Sequence, residues 1–345
     1  MKAWRVHGYG DMRLDELPEP VPRPGWVKVR IRVVQPSVTE IVLFGGERTY
    51  GYELVAQALA SGPAQLFGHE FSGEVVELGA GVTSLRVGDR VTARGSHPDG
   101  IVGFHYPGAL AEYGVFPESL FVVLPSHVDD CEGAAIQPLT DSVAAVHAAA
   151  LRLGDAVAVI GLGSMGLGCL QVARTGGAGL VIGIARRPAS LALARELGAD
   201  VVVDASREDP VEAVRRLTGG RGADVVFETA AGPASRGLAG DATIRQAGAM
   251  VRDEGTVVGV AFTEGALPLP LDVYRMRGLR FVCPSVLDRR LFETTVRLVA
   301  TGRVRLKPTI GCVLDGIERV PEAFALTADK GAHGLVNPAQ VRISG

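Results

Sequence analysis

Apolar residues are distributed along this chain in two different ways. Near the N-terminus they alternate: Val27, Val29, Ile31 and Val33 are separated by Lys28, Arg30 and Arg32, the period of a strand with one buried face. Pro18, Pro20, Pro22 and Pro24 precede that run and form an extended connector that cannot be helical. The first 35 residues therefore read as antiparallel β-structure. Beyond about residue 150 the apolar runs are short and unbroken, with segments at helical spacing between them. This predicts strands at 156–160, 180–184, 201–203, 224–228 and 255–260 and helices at 190–197 and 210–217. Such alternation predicts a doubly wound parallel α/β sheet, with helices on both faces and a ligand at the carboxyl ends of the strands.

Between the two regimes lie Gln35 to Glu40, a polar segment reaching Tyr52, a helix at 53–60 and a strand at 74–78. A loop rich in glycine, proline and histidine follows at 95–110, the kind of loop that often lines a site. Alanines and valines fill 133–151, where Pro138 marks a helix start. After about residue 285 a helix at 290–300 and a β-rich tail complete the pattern.

A length of 345 residues suits two domains. The net charge of −3 and the lack of a basic run give no reason to expect nucleic acid or an acidic membrane as partner. The opening MKAWRVHGYGDMRL lacks the apolar core of a signal peptide, and no apolar run is long enough to span a bilayer, so the cytoplasm is the expected location. Cys131, Cys169, Cys283 and Cys312 are widely spaced, with no C-x-x-C, which suggests neither a disulfide framework nor a clustered zinc site.

Candidate chemistry begins at Ala156 to Arg187, where a buried run leads into Gly161, Ser164, Met165 and Gly166 around Gly163, then a helical segment and a second buried run. In G-x-G-x-x-G the first glycine makes a tight turn, the second lets backbone approach a pyrophosphate and the third lets helix pack on strand. Unpaired N–H groups at the helix N-terminus then face the phosphates. The flanking strands turn a weak motif into a dinucleotide site, against the blander reading of a structural turn. An NAD-type site carries an acid at the end of the second strand, about 20 residues past the glycines. Ala185 stands there, followed by Arg186 and Arg187, whose guanidinium forks match a 2′-phosphate. The expected cofactor is NADP(H), unless the two arginines are ordinary solvated surface charges.

Gly68-His69-Glu70, Gly79 through Val91, the central GLGSMG and Phe227-Glu228-Thr229-Ala230 together resemble the medium-chain dehydrogenase/reductase superfamily, the zinc alcohol dehydrogenases and their zinc-free reductase relatives. The resemblance covers essentially the whole chain. It implies a β-rich GroES-like substrate domain at 1–150 and 287–345 around a Rossmann domain at 151–286, with the active site in the cleft. It also implies a homodimer or homotetramer acting on a small molecule.

By the same resemblance, the catalytic zinc ligands would fall at Ser37, His69 and Gln137, so that a hydroxyl and an amide replace two charged donors. Zinc favours thiolate, imidazole and carboxylate, so the metal is expected to be lost or weak, with Asp141 and Glu70 as a potential rescue. The cysteine-rich lobe that holds a structural zinc in many relatives is also missing, since 92–130 contains no cysteine.

Thr39 matches the hydroxyl that relays a proton, and Glu40 the acid behind the zinc histidine. A Glu40 to His69 hydrogen bond would fix the imidazole tautomer and make His69 either a proton donor or a structural link between two loops. Near the nicotinamide the resemblance places Thr140, Thr229, Val260 and Ser285. Tyr50, Tyr52, His97, His105 and Tyr106 lie in loops that could border the pocket, with ordinary packing the commoner fate.

The leading expectation is a zinc-independent, NADPH-dependent oxidoreductase reducing a carbonyl or conjugated alkene of a small metabolite. A zinc-dependent alcohol or polyol dehydrogenase with altered ligands, and a catalytically inactive NADP-binding sensor or assembly protein, are the alternatives.

Overall fold

The structure, a computed structural model, describes residues 1–97, 100–232, 240–263, 269–285 and 288–343. The chain divides into two compact units, Met1–Gln137 with Phe292–Ala300 and Leu306–Gly345, and Pro138–Leu291 with Thr301–Arg305. The expected second boundary at 286/287 lies outside the described residues. The helix Ile136–Ala148 belongs to the second unit from Pro138 onward. Ser142 on that helix donates from Oγ to the Met165 carbonyl, and a Cβ added at Gly168 would lie 2.4 Å from the same Oγ, so the two helices approach almost backbone to backbone.

The second unit holds a six-stranded parallel sheet in the order Val201–Asp204, Leu180–Ala185, Ala156–Ile160, Ala223–Glu228, Val251–Gly259, Arg280–Val282. The central strand Ala156–Ile160 is buried at every position, as its unbroken apolar run requires in a sheet covered on both faces. Strand order reverses between it and Ala223–Glu228, which makes that edge the place for a ligand. The sequence pattern missed the helices Ala242–Met250 and Leu271–Arg277 and the edge strand Arg280–Val282, all short and without strong periodicity.

In the first unit Trp26–Gln35 is the central strand. It pairs antiparallel with Glu70–Leu78, Tyr113–Pro117 and Gln340–Arg342, so the two ends of the chain meet in one seven-stranded sheet. Phe71, Phe116 and Phe121 form a buried aromatic triangle with centroids 5.2 to 6.0 Å apart, each contact adding about 1 kcal/mol beyond its buried area. Two expectations are corrected here. The polar segment before Tyr52 begins with a helix, Val38–Phe44, whose start Ser37 and Glu40 cap reciprocally. The tail expected to be β-rich also contains the helix Val320–Ala328. Among the described residues no helix is long and apolar enough to cross a membrane.

One carboxylate ties three strands of the parallel sheet together. Asp224 accepts from the Ala156 N–H at 2.7 Å and pairs with the Arg252 guanidinium. Burial pushes its pKa up, but Arg252 and the Ala156 N–H outweigh burial and hold it below the ordinary 3.8. A folded-state pKa below the unfolded one contributes stability that is present above the unfolded value and lost as pH falls through the folded one. Asp224→Asn should therefore cost about 1–2 kcal/mol near neutral pH. In urea titrations the gap to the wild type should close below about pH 4; a gap unchanged into acid would contradict this account.

Candidate active site

The site in the first unit is assembled around Glu40. Ser37 caps the helix Val38–Phe44, its Oγ accepting from the Glu40 N–H at 3.1 Å, while Glu40 Oε2 accepts from the Ser37 N–H at 3.0 Å. Glu40 itself is 0% exposed. Its Oε1 accepts from the backbone N–H of Gly68 at 2.7 Å and of His69 at 3.2 Å, and contacts His69 Nδ1 at 2.6 Å. A carboxylate only accepts, so the His69 proton sits on Nδ1 and Nε2 faces the other way. The hydrogen bond expected from the sequence is present.

The approach of the 67–69 backbone to Glu40 requires unusual geometry. Phe67 has φ 67° and Gly68 φ 80°, both in the left-handed region. A Cβ at Gly68 would lie 2.8 Å from the Leu110 nitrogen, so only glycine fits the second position. Phe67 is a true outlier held by its surroundings, with its ring fully buried against Phe44, Phe104 and Phe324.

On its other side His69 Nε2 lies 3.9 Å from Glu70 Oε1. Glu70 Oε2 accepts from Gln35 Nε2 at 2.6 Å, and Gln35 Oε1 accepts from Gln340 Nε2 at 3.0 Å, which also reaches the Cys131 carbonyl at 2.9 Å. Sequence reading missed Gln35 and Gln340; at a sequence separation of 305, no local signal connects them. A Cβ at Gly95 would lie 3.3 Å from the His69 ring and 3.1 Å from Gln137 Cγ, so Gln137 and His69 border one glycine. Thr39 is half-buried and Ser37 buried on the same capped turn. The structure thus brings Ser37, Thr39, Glu40, His69, Glu70 and Gln137 into one neighbourhood of the first unit. Among the described residues, no group of three or more His, Cys, Asp or Glu could hold a metal ion.

The loop aromatics and histidines have packing partners of their own. Tyr52 stacks on Tyr9, Tyr106 sits edge-on to Trp26, and His97 shares a hydrogen bond with Ser119 Oγ at 2.8 Å. His105 Nδ1 accepts from the Ile101 N–H at 3.2 Å, and Tyr50 is exposed.

In the second unit the glycine turn has the steric form its motif demands. Gly161 has φ 91°, and a Cβ at Gly166 would lie 1.7 Å from the Gly161 carbonyl, so helix packs on turn only without a side chain. At Gly163 an added Cβ meets nothing within 4 Å, and this residue caps the helix Ser164–Thr175 with no side-chain bond to its N–H groups. Open space over uncapped N–H groups, beside Ser164 and Met165, fits a pyrophosphate. Thr229 Oγ donates to the carbonyls of Ile160 and Gly161, at 2.9 and 2.7 Å, so its hydroxyl braces the turn. The Val260 N–H donates to the Glu228 carbonyl at 2.9 Å, Thr140 is buried in its helix and Ser285 is exposed.

Ala185 ends its strand in register with Asp204, an acid that sequence reading passed over. That carboxylate is turned to its own loop, accepting from Ser206 Oγ and N–H, bonds that hold its pKa below the ordinary range. Arg186 and Arg187 are exposed just past Ala185.

Residues 23–126 match the alcohol dehydrogenase GroES-like domain, and residues 164–301 the zinc-binding dehydrogenase domain. The sorbitol dehydrogenase of Halalkalibacterium halodurans is 35% identical over 242 residues, covering 64% of this chain and 67% of that protein. The L-threonine 3-dehydrogenase of Bacillus velezensis is 30% identical over 319 residues, 86% of this chain and 87% of its own. Among solved structures, a Sinorhizobium meliloti 1021 protein classed as a zinc-binding dehydrogenase, with NADP bound, superposes with TM-score 0.84 at 27% identity, over 99% of this chain and 98% of that one. Sequence and fold agree along nearly the whole length: the chain belongs to the zinc-type alcohol and polyol dehydrogenases of the medium-chain dehydrogenase/reductase superfamily, which are NAD(P)-dependent oxidoreductases.

Proposed function

We propose that this chain interconverts a secondary alcohol and a ketone in a small polar metabolite, using NADP(H), with the His69–Glu40 pair rather than zinc managing the proton. The observation that carries this reading is the 2.6 Å contact between His69 Nδ1 and Glu40, in a neighbourhood where Ser37 and Gln137 supply only neutral donors. Ser37 Oγ is already accepting a helix-cap bond, and Glu70 already accepts the Gln35 amide. This donor set fits zinc poorly, since the metal prefers three strongly donating ligands. The relatives named as sorbitol and L-threonine dehydrogenases favour an alcohol–ketone pair over a conjugated alkene.

The cofactor would be held by the Gly161–Gly166 turn, its phosphates over Gly163 and the helix N-terminus, and its nicotinamide supplies or takes up the hydride at the carbinol carbon. This chain's own residues handle the proton. With Nδ1 fixed by Glu40, His69 Nε2 takes the hydroxyl proton as the alcohol is oxidised and returns it to the carbonyl oxygen on reduction. Thr39, one residue before Glu40, is placed to orient or relay that proton. In this metal-free reading the carbonyl is polarised by hydrogen bonds alone, in whichever direction the reaction runs.

A second reading is supported by the family: zinc-dependent catalysis with an altered ligand set, in which Glu70 joins His69. Elemental analysis separates the two. The metal-free reading expects purified protein to hold far less than about one zinc per chain and to keep its activity after chelation. Stoichiometric zinc with activity lost on chelation and restored by zinc would overturn it.

Replacing His69 by Asn tests the proton role. Turnover should fall by about 100-fold or more with cofactor affinity unchanged; unaltered turnover with a lowered melting temperature would leave His69 a structural link. For the cofactor, Arg186→Ala with Arg187→Ala should weaken NADPH binding by about 10- to 100-fold and leave NADH little affected. Equal losses for both, or none, would refute the assignment of these arginines to a 2′-phosphate.

A further inference from the structure

Glu228 is the last residue of the strand Ala223–Glu228, at the edge where strand order reverses. It stands in register with Ile160 on one side and Gly259 on the other. The residue is 0% exposed. Its Oε1 accepts from the N–H groups of Ala230 at 2.8 Å and Ala231 at 2.7 Å, so the carboxyl turns back over its own chain and closes the segment 228–231. Its backbone carbonyl accepts from the N–H groups of Val260 and Ala261, which fixes the strand end from the other side.

The carboxyl is not fully matched. Among the described residues Oε2 has no hydrogen-bond partner, and the Thr243 hydroxyl, near it on the helix Ala242–Met250, is likewise buried without one. Burial pushes the Glu228 pKa up, against the Ala230 N–H, the Thr243 hydroxyl and the Ala231 N–H, which pull it down. Burying a carboxyl with one oxygen unpaired costs free energy that an apolar side chain of similar size would not. What it supplies in return is one acceptor for two successive N–H groups.

Those N–H groups belong to the segment on which the glycine turn is packed. A Cβ at Gly161 would lie 2.7 Å from Ala230 Cβ and 3.0 Å from Thr229 Oγ1, and one at Gly166 would lie 2.8 Å from the same oxygen. The Thr229 N–H and hydroxyl both donate to the Ile160 carbonyl at 2.9 Å, and the hydroxyl also reaches the Gly161 carbonyl at 2.7 Å. The Gly161 carbonyl shares one rigid peptide plane with the Leu162 N–H, so holding the first orients the second.

We infer that Glu228 is a positioning residue for the dinucleotide: it holds the segment 229–231 so that the Thr229 hydroxyl fixes the Gly161–Leu162 peptide of the phosphate turn. The inference rests on the assignment of the cofactor to the Gly161–Gly166 turn, and depends neither on the choice between NADH and NADPH nor on zinc.

Calorimetric titration of the full chain with NADPH and with NADH tests it. Glu228→Ala should weaken both by a similar factor, about tenfold, because the pyrophosphate is common to them. Glu228→Gln keeps an acceptor oxygen for the two N–H groups and should stay within about threefold of the wild type. Thr229→Val should match Glu228→Ala, and the double variant should be no more than about threefold weaker than either alone, since the two residues act in series. A purely structural Glu228 would instead lower the melting temperature of Glu228→Ala while the folded protein bound both dinucleotides as tightly as the wild type, and that result would overturn the inference. Losses that multiply in the double variant, or a loss with Gln equal to that with Ala, would contradict it as well. Should Glu228→Ala fail to fold, hydrogen exchange in the unaltered protein without dinucleotide decides: the Ala230 and Ala231 amides should be protected, and free exchange at either would overturn the inference. Wild-type protein that bound neither dinucleotide would refute the cofactor assignment and this inference with it.

Discussion

A buried carboxylate that must satisfy four donors is the constraint from which the first unit's site follows. Glu40 gathers the N–H of Ser37, the N–H groups of Gly68 and His69, and the His69 ring. A charge taken out of water at 0% exposure is tolerable only when its oxygens are fully engaged, and here they are. The donors come from a helix start and from a loop 28 residues further along the chain, so the charge fixes the geometry between them. The positive φ at Phe67 and Gly68 is what that constraint imposes on the backbone. The imidazole is oriented as a by-product of the same requirement, so the residue that links the two segments also has its ring held in one position.

The two halves of the proposed reaction rest on different physics. The glycine turn is selected by exclusion: Gly161 and Gly166 are glycines because atoms already fill the space a side chain would need, and Gly163 because space must stay empty. The Glu40–His69 neighbourhood is selected by satisfaction, each buried polar atom being matched to a partner. Steric exclusion tolerates almost no substitution, whereas a hydrogen-bond network can exchange donors of similar shape. The glycine turn is accordingly fixed residue by residue, whereas the Glu40–His69 neighbourhood is fixed by the pattern of its partners.

This difference also decides what could be read from the sequence. Ala156–Ile160 and the glycines are local patterns, with strand, turn and helix written within a few dozen residues, and the parallel sheet follows from the same alternation. Ser37 and Glu40 carried the signature of a capped helix, four residues long, yet the segment after them lacked an obvious period and Val38–Phe44 went unread. The His69–Glu40 contact was reachable because family resemblance supplied the pairing that spacing could not. Gln35 and Gln340 were beyond reach, since their relation exists only once two antiparallel strands are in register.

The strand Gln340–Arg342 lies at the very end of the chain, yet it seats Gln340 against Gln35, which in turn holds Glu70 beside His69. A side chain that touches neither Glu70 nor His69 therefore sets the play of one against the other: shortening Gln340 would release the Gln35 amide, and with it the Glu70 carboxylate, while leaving every residue of the glycine turn in place.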